Sequence, residues 1–241
     1  MLHKTRGIVL KTTSYSENSV IVQIFTEKFG IQSYLINGVK KARAKISMNM
    51  LQPLHLVDMV VYNKANGNIQ RVSELRPSPV FSSIPYDLTK RTIAMFLNEV
   101  LYKSIRQQMA DEKLFEFIFS AICWFDECGD RNTNFHLAFL LKLSRFLGFA
   151  PSAAVDQDHV FFDLQEGAYK SRMPVHPHFL NKDDAALFIL LYTTPFEKIS
   201  DIKAENKVRR YVLDKILIYY ALHTASFGEI LSHQVLEEVL S

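Results

Sequence analysis

The chain has 241 residues, of which 48% are hydrophobic and 22% charged, and its formal net charge is +3. This composition is that of a folded globular protein and excludes a disordered, collagen-like or fibrous chain. The length allows one large domain or two small ones, each able to bury a core. The two cysteines, Cys123 and Cys128, are too few for a disulfide scaffold or an all-thiolate zinc site, so we expect a reducing, cytosolic compartment.

Basic residues are concentrated in the first third of the chain. Residues 1–80 hold 11 Lys and Arg against four Asp and Glu, a net charge of +7, whereas residues 81–241 hold 17 against 21, a net charge of −4. This asymmetry suggests two modules, the first facing a polyanion; a Lys-rich solvated surface is the alternative. The N-terminal apolar stretch is too short for a signal peptide, and no apolar run is long enough to span a bilayer. We therefore expect a soluble protein that is not secreted.

Five short β-rich segments precede the first proline-rich stretch. They are residues 7–10, 19–26, 31–39, 54–62 and 69–75. Turn-forming residues separate them, and five short strands in roughly 80 residues are typical of a small closed or partly open barrel. The longest interval lies between the third and fourth segments, where an OB-fold often has a helix or a long loop.

Three prolines after the fifth segment are typical of a linker: Pro77, Pro79 and Pro85. Beyond them the hydrophobic spacing becomes helical and predicts helices from Asp87 or Thr89 to about Met109, and over 111–128, 134–147, 182–192, 203–226 and 228–240. A hairpin-like stretch lies at 160–169. The sequence thus predicts an α+β two-domain chain, with an OB-fold β-barrel at 1–79 and a helical domain at 80–241 that contains a cysteine-free insertion at about 149–181.

The chain carries no recognisable catalytic motif: it has no glycine-rich phosphate loop, no G-x-S-x-G and no H-E-x-x-H. One set of loop residues could in principle ligate a metal, but ordinary polar loop residues are the better interpretation: Asp156, Asp158, His159, His176 and His178. We interpret the cysteines as buried structural thiols, His136 and His223 as core histidines, and Glu237-Glu238 as part of a solvated face or as helix-end charges. We expect no enzyme activity, cofactor or metal.

The pattern with functional content is basic and aromatic. Four cations lie within six residues beside a strand end, three more flank the first strand, and Tyr15 lies in a predicted turn. Cations neutralise phosphates, and exposed rings stack on bases. For the turn residue Phe29 we favour packing over stacking. The residues predicted to bind nucleic acid, which the family resemblance described below implies to be DNA, are Lys4, Arg6, Lys11, Tyr15, Lys40, Lys41, Arg43 and Lys45.

Short segments in order along nearly the whole chain resemble the bacterial RecO family. They are GIVL at 7–10, YSENS at 15–19, FTEKFG at 25–30, NGVKK at 37–41, LQPL at 51–54, LNEVL at 97–101, LGFAP at 147–151 and LS at 231–232. The resemblance is strongest in residues 7–54. It implies an N-terminal OB-fold and a C-terminal helical domain.

The resemblance also implies a recombination mediator that is not an enzyme. Such a protein binds single- and double-stranded DNA, anneals complementary strands and, with RecR, helps load RecA onto strands coated by single-stranded-DNA-binding protein. The implied partners are DNA, RecR and the acidic C-terminal tail of single-stranded-DNA-binding protein, with no membrane. The implied location is cytoplasmic and nucleoid-associated.

Many RecO relatives carry four zinc-binding cysteines after the helix that ends in LGF-P. Residues 152–178 here contain no cysteine. We therefore expect the protein to fold without zinc, and its insertion to be held by packing around Phe161, Phe162, Leu164 and Tyr169.

An acidic tail that ends in an aromatic residue needs an apolar pocket with a nearby cation. One predicted helix offers such a set, although the family motif does not determine it: Phe139, Lys142, Leu143, Arg145 and Phe146. Two other function classes stay open. An RNA-binding or translation-associated OB-fold protein would share the basic barrel but leave the helical domain unexplained. A nucleic-acid-modifying enzyme would need metal-ligating carboxylates or an activated nucleophile, and none stands out.

Overall fold

The computed structural model describes residues 1–64, 67–105, 109–129, 133–152 and 160–240. The chain divides into two compact units, residues 1–127 and residues 128–241. The first unit contains a β-barrel and two helices, and the second contains the remaining helices and a small sheet. The secondary structure changes from strand to helix between Pro77 and Leu88, in the proline-rich stretch, whereas the first compact unit extends to Glu127.

The barrel has five strands: β1 Leu2–Ser16, β2 Ser19–Thr26, β3 Gly30–Asn37, β4 Leu56–Tyr62 and β5 Gln70–Pro77. Their order is β1-β2-β3-β5-β4, and β1 also pairs with β4, which closes the barrel. All pairs are antiparallel except β3 with β5. This connectivity is that of an OB-fold, and it confirms the predicted fold class.

Strand β1 is longer than the sequence predicts, since it runs for 15 residues instead of covering 7–10 alone. Its first half pairs with β4 and its second half with β2. A register shift between Val9 and Lys11 accompanies the change of partner, as a bulge bends a strand. At Gly7 a β-carbon would lie 2.6 Å from Ile24 Cγ2 and 2.9 Å from Met59 Cε, so the barrel interior leaves no room for a side chain there.

Alternate side chains of the strands fill the barrel, as the period of two in the sequence predicts. A short 3₁₀ helix, Met48–Leu51, occupies part of the long interval between β3 and β4. The buried core comprises Val9, Val20, Val22, Ile24, Tyr34, Ile36, Val39, Leu51, Val57, Met59, Val61 and Leu75. The intervening residues of the strands consequently face outward.

Two helices complete the first unit: α1 Leu88–Ser104 and α2 Glu112–Glu127. The Asp87 side chain caps α1 by accepting a hydrogen bond from the backbone N–H of Lys90. The Asn98 amide of α1 donates to the backbone carbonyl of Leu10 in β1 at 2.8 Å. The ring of Phe115 in α2 packs on Phe25, with ring centroids 5.7 Å apart. These contacts hold both helices against the barrel.

Asp126 near the end of α2 holds the segment that leads from the barrel into α1. Its carboxylate accepts hydrogen bonds of 2.7–2.9 Å from the backbone N–H groups of Ser82, Ser83 and Ile84. Burial alone would raise the pKa of Asp126, but these hydrogen bonds favour the anion and lower its pKa overall. The Lys90 ammonium donates to the Ser83 hydroxyl and to the backbone carbonyl of Asp126, which completes the connection.

The described residues of the second unit form four α-helices: α3 Phe135–Phe146, α4 Lys182–Thr193, α5 Asn206–His223 and α6 Ser232–Val239. A 3₁₀ helix, Phe196–Asp201, follows α4. A small sheet has the order β7-β6-β8, with β6 Phe161–Asp163, β7 Ala168–Lys170 and β8 Phe179–Leu180. The β6–β7 hairpin occurs at the predicted 160–169. No helix of the described residues is long and apolar enough to cross a membrane.

Aromatic packing surrounds the small sheet. Phe162 and Leu164 are fully buried, and the ring of Phe162 lies 5.2 Å from that of Tyr169 and 5.2 Å from that of Phe188 in α4. Phe161 contacts the ring of Phe179 in β8 edge to face. The four residues expected to hold the insertion thus all lie in or beside this sheet.

Candidate nucleic-acid interface

The outward side chains of β1, β2 and β3 form a continuous surface, here called the outer strip. Strand register places Lys11, Gln23 and Ser33 in one row, Thr13, Ile21 and Leu35 in the next, and Ser19 beside Asn37. All of these side chains are exposed or half-buried. Two aliphatic side chains therefore occupy the centre of a polar surface on the barrel face with which OB-folds bind oligonucleotides.

The basic loop, residues 38–47, follows β3 at the Asn37 end of the outer strip. The backbone N–H of Val39 donates to the carbonyl of Asn18 at 3.0 Å, which holds the start of the loop against the β1–β2 turn. The four predicted cations of the loop are all exposed, and none forms an ion pair with another residue that the structure describes: Lys40, Lys41, Arg43 and Lys45. Their charge is thus available to a ligand on the strip.

Tyr15 lies at the same end of the barrel. It follows a register shift between Ser14 and Ser16 beside the β1–β2 turn, and 62% of its surface is exposed. Its ring is therefore accessible near the basic loop.

A groove of about 1090 Å³ opens at the other end of β3. Residues from β2, β3, the β4–β5 loop and the end of α1 line it, among them Lys28, Phe29, Gln32, Lys64 and Tyr102. The buried Gln70 amide donates to the carbonyls of Lys64 and Gly67 and accepts from the Lys64 N–H, which holds the ends of the β4–β5 loop together. This loop borders the ligand surface of OB-folds.

Lys11 connects the outer strip to the groove. Its ammonium donates to the Tyr102 hydroxyl at 3.1 Å and lies 4.7 Å from the centre of that ring. Phe29 packs partly against the barrel core, as expected, and also against the ring of His3 at 5.4 Å. Its remaining surface lines the groove. The strip is therefore continued by cations and rings at both of its ends.

Lys4 and Arg6 lie on a different part of the barrel from the other predicted DNA-binding residues, on the half of β1 that pairs with β4. Arg6 forms ion pairs with Glu27 and Glu116, and its guanidinium lies 4.8 Å from the centre of the Phe119 ring. The hydrogen bond between Arg6 and Glu27 raises the pKa of Arg6 and lowers that of Glu27. Two carboxylates thus compensate the charge of Arg6.

The five residues predicted to bind a partner's tail lie on α3, most of which is buried. Phe139 and Leu143 are fully buried. The half-buried Lys142 donates at 2.6 Å to a backbone carbonyl at the end of α4, and burial lowers its pKa. At the end of the helix Arg145 is exposed and Phe146 is half-buried. The accessible part of the predicted set is therefore its last turn.

Cys123 and His136, to which the sequence assigns no catalytic role, pack inside the protein. Cys123 and Cys128 are both half-buried, whereas the sequence interpretation expected buried thiols. Burial, with Glu127 and Asp126 nearby, raises the pKa of Cys123 to about 11, so its thiol stays protonated and a poor nucleophile. Burial lowers the pKa of His136 to about 3, so its imidazole stays neutral, as expected for a core histidine.

Of the five loop residues considered as possible metal ligands, the structure describes two, His176 and His178. His176 lies 3.2 Å from the Asp163 carboxylate, and its other ring nitrogen accepts the backbone N–H of His178. Asp156, Asp158 and His159 lie outside the described residues.

Sequence analysis did not identify the centre of the outer strip or most of the groove. The sequence offered one signal: in residues 19–26 inward and outward side chains alternate, which places Ile21 and Gln23 on the outer face of the strand. Nothing local in the sequence connects Lys64 or Tyr102 to β3, because the groove is built from segments that are distant along the chain.

Comparison with known proteins identifies the family. The family model described as Recombination protein O N terminal matches residues 1–81, and that described as Recombination protein O C terminal matches residues 85–227. Curated relatives named DNA repair protein RecO include one from Phocaeicola vulgatus, 34% identical over 100% of both chains. Others are from Azobacteroides pseudotrichonymphae, 32% identical, and Flavobacterium psychrophilum, 35% identical, each over 99% of both chains. The barrel, the helical unit and these end-to-end similarities together show that the chain belongs to the RecO family.

Proposed function

We propose that this RecO-family chain acts in DNA repair and recombination as a non-catalytic mediator that binds DNA along the outer strip. The observation that carries the proposal is the arrangement of the strip between two basic ends. The exposed cations of the basic loop lie at one end, and Lys11, Lys28 and Lys64 lie at the other. Cations placed in this way neutralise successive phosphates of one strand.

The dimensions of the strip suit a short run of single-stranded DNA. The eight residues of β3 span about 26 Å at roughly 3.3 Å per residue, and OB-folds occupy about 4–16 nucleotides. Ile21 and Leu35 offer an apolar surface on which any base can pack, and Gln23 and Ser33 offer hydrogen-bonding groups beside it. Because packing on an aliphatic surface does not distinguish one base from another, we expect binding with little sequence preference.

Sequence-independent binding also supports strand annealing. Two complementary strands bind such a surface equally well, and neutralised phosphates reduce the repulsion between them. We also propose that the chain cooperates with RecR in loading RecA. The tail of single-stranded-DNA-binding protein would bind at the end of α3, where Arg145 supplies a cation and Phe146 an apolar surface. Family membership supports these partners.

The experiment places a carboxylate at the centre of the strip. Ile21→Glu should lower the affinity for a labelled single strand by at least about tenfold, or ~1.4 kcal/mol, because a carboxylate at this position repels the phosphates of the strand and removes apolar surface on which a base would pack. Val60→Glu is the matched control, since Val60 is a half-buried, outward-facing residue of β4 that pairs with Lys4 on another part of the barrel. Fluorescence anisotropy measures the affinity, and thermal unfolding checks that both variants fold.

If Val60→Glu binds DNA as tightly as the wild type and Ile21→Glu binds it more weakly, the result supports DNA binding along the outer strip. If Ile21→Glu binds DNA as tightly as the wild type, the strip is not the site. Competition between single-stranded DNA and RNA of the same sequence at fixed salt tests the alternative: a clear preference for RNA would favour an RNA-binding protein. The rate at which complementary strands anneal should fall together with the affinity.

A further inference from the structure

Three potential metal-binding side chains from α5 and α6 converge in the second unit. His233 Nε2 lies 3.4 Å from Asp214 Oδ1 and 3.5 Å from Glu237 Oε1. The ligand atoms of all three lie within 4.8 Å of one another, which holds for no other group of this kind among the residues that the structure describes. The sequence interpretation treated Glu237 as part of a solvated face or as a helix-end charge, because Asp214 is distant along the chain and only the fold brings it near.

The helices present these side chains as a preformed set. His233 and Glu237 are four residues apart on α6, so they share one face of the helix, and Asp214 approaches from α5. Two ligands at i and i+4 of one helix, with further ligands from elsewhere in the fold, are a recurring way to build a metal site. Arg210 of α5 also donates to the backbone carbonyl of Glu237 at 3.0 Å, which holds α6 on α5 independently of any ion.

The two separations from the imidazole nitrogen are compatible with a shared ion, and the Asp214 and Glu237 oxygens lie within 4.8 Å of each other. Hydrogen bonds between an imidazolium and a carboxylate are about 2.7–2.9 Å long. In a tetrahedral zinc site with bonds of about 2.0–2.1 Å, neighbouring ligand atoms lie about 3.3 Å apart. The observed separations of 3.4 and 3.5 Å are close to that tetrahedral edge.

The charges at this position also favour a cation. Two carboxylates, those of Asp214 and Glu237, lie beside the single imidazole of His233. The Lys215 ammonium lies 5.2 Å from the centre of the Tyr211 ring. A single protonated imidazole neutralises one of the two carboxylates, whereas a divalent ion neutralises both.

Against the expectation from the sequence that the chain binds no metal, we propose that Asp214, His233 and Glu237 bind one Zn²⁺ ion, with water as the fourth ligand. One imidazole nitrogen with two carboxylate oxygens suits Zn²⁺, whereas Mg²⁺ and Ca²⁺ prefer oxygen ligands alone. The ion connects α6 to α5. An isolated helix of eight residues is too short to be stable, so a link to α5 stabilises α6. The core of the second unit does not depend on this ion. The proposal is independent of the proposed DNA-binding function.

Zinc binding by the full-length chain tests the proposal. After washing with a chelator and removing it, titration with Zn²⁺ should show one equivalent bound and a rise in the melting temperature. Glu237→Gln keeps the shape of the side chain and removes its charge, and it should weaken zinc binding by at least about tenfold. Glu238→Gln makes the same change of charge at the next residue of α6 and should bind zinc as the wild type does.

Co²⁺ provides a second readout, since tetrahedral Co²⁺ absorbs visible light more strongly than octahedral Co²⁺. The wild-type chain should show the tetrahedral spectrum and His233→Gln should not. Circular dichroism without metal checks that the variants fold. Failure of the wild-type chain to bind stoichiometric zinc would overturn the proposal. Zinc binding that survives both Glu237→Gln and His233→Gln would do so too, because the ion would then lie elsewhere.

Discussion

Removal of the basic loop's charge tests the proposed DNA interface most directly. The substituted residues are Lys40, Lys41, Arg43 and Lys45, all to Ala. All four side chains are exposed, and none is paired with an acidic side chain of the described residues. Surface substitutions of this kind usually change the free energy of unfolding by less than about 0.5 kcal/mol. An effect on DNA binding can therefore be attributed to charge.

The expected magnitude follows from counterion release. Each phosphate contact contributes about 0.7 to the slope of log K against log salt for a single strand and about 0.9 for a duplex. Four lost contacts should therefore reduce the slope by about 3. Between roughly 50 and 200 mM salt, the affinity of the wild-type chain for a single strand should fall about 50-fold more than that of the variant.

The assay is fluorescence anisotropy with single- and double-stranded DNA over a series of salt concentrations. The matched control replaces four exposed lysines of the second unit by Ala: Lys182, Lys198, Lys203 and Lys207. Both variants carry the same change of net charge, from +3 to −1. The control should keep the wild-type slope. Equal slopes for the wild type and the loop variant would show that the loop does not contact DNA, and equal losses in both variants would indicate an effect of overall charge.

Three further predictions concern packing, titration and the partner's tail. Gly7→Ala should destabilise the barrel by about 1–3 kcal/mol, because the new β-carbon would lie 2.6 Å from Ile24 Cγ2; an unchanged melting temperature would contradict this packing. Burial lowers the pKa of His136 from its ordinary value of 6.5 to about 3 in the folded state. Below pH 6.5 the imidazole is therefore protonated in the unfolded state but stays neutral in the folded state. Denaturant unfolding should therefore show a loss of about 2 kcal/mol from this group between pH 7.5 and 5, a loss that is absent in His136→Gln. Arg145→Glu should weaken binding of an acidic tail peptide, measured by calorimetry, and leave DNA affinity within about twofold; the opposite pattern would refute the assigned roles.

The sequence alone was sufficient for the fold class and for most of the elements. Alternating apolar residues with turn residues between them predict the five strands, and helical spacing after the prolines predicts the helices, because both signals are local. The family could also be inferred, since ordered short motifs are a property of the chain itself. The basic loop could be identified for the same reason: its four cations lie within six residues of the sequence, and the structure leaves all four exposed.

Only the tertiary structure decided which charged residues are available to a ligand. Lys11 and Arg6 lie on the same strand and look equivalent in the sequence. The strand changes its partner between them, so Lys11 lies on the outer strip while Arg6 lies beside Glu27 and Glu116. No local pattern contains this difference, because it depends on which strand pairs with each half of β1.

The same reason explains the two sets of residues in the second unit. Helical spacing places Lys142 beside Phe139 and Phe146, but it does not tell a buried face from a ligand-binding face, and Phe139 is fully buried. Conversely, Asp214 approaches His233 and Glu237 only because α6 docks on α5. Local periodicity determines the elements, whereas the packing of elements distant along the chain determines which side chains meet and which remain open to a ligand.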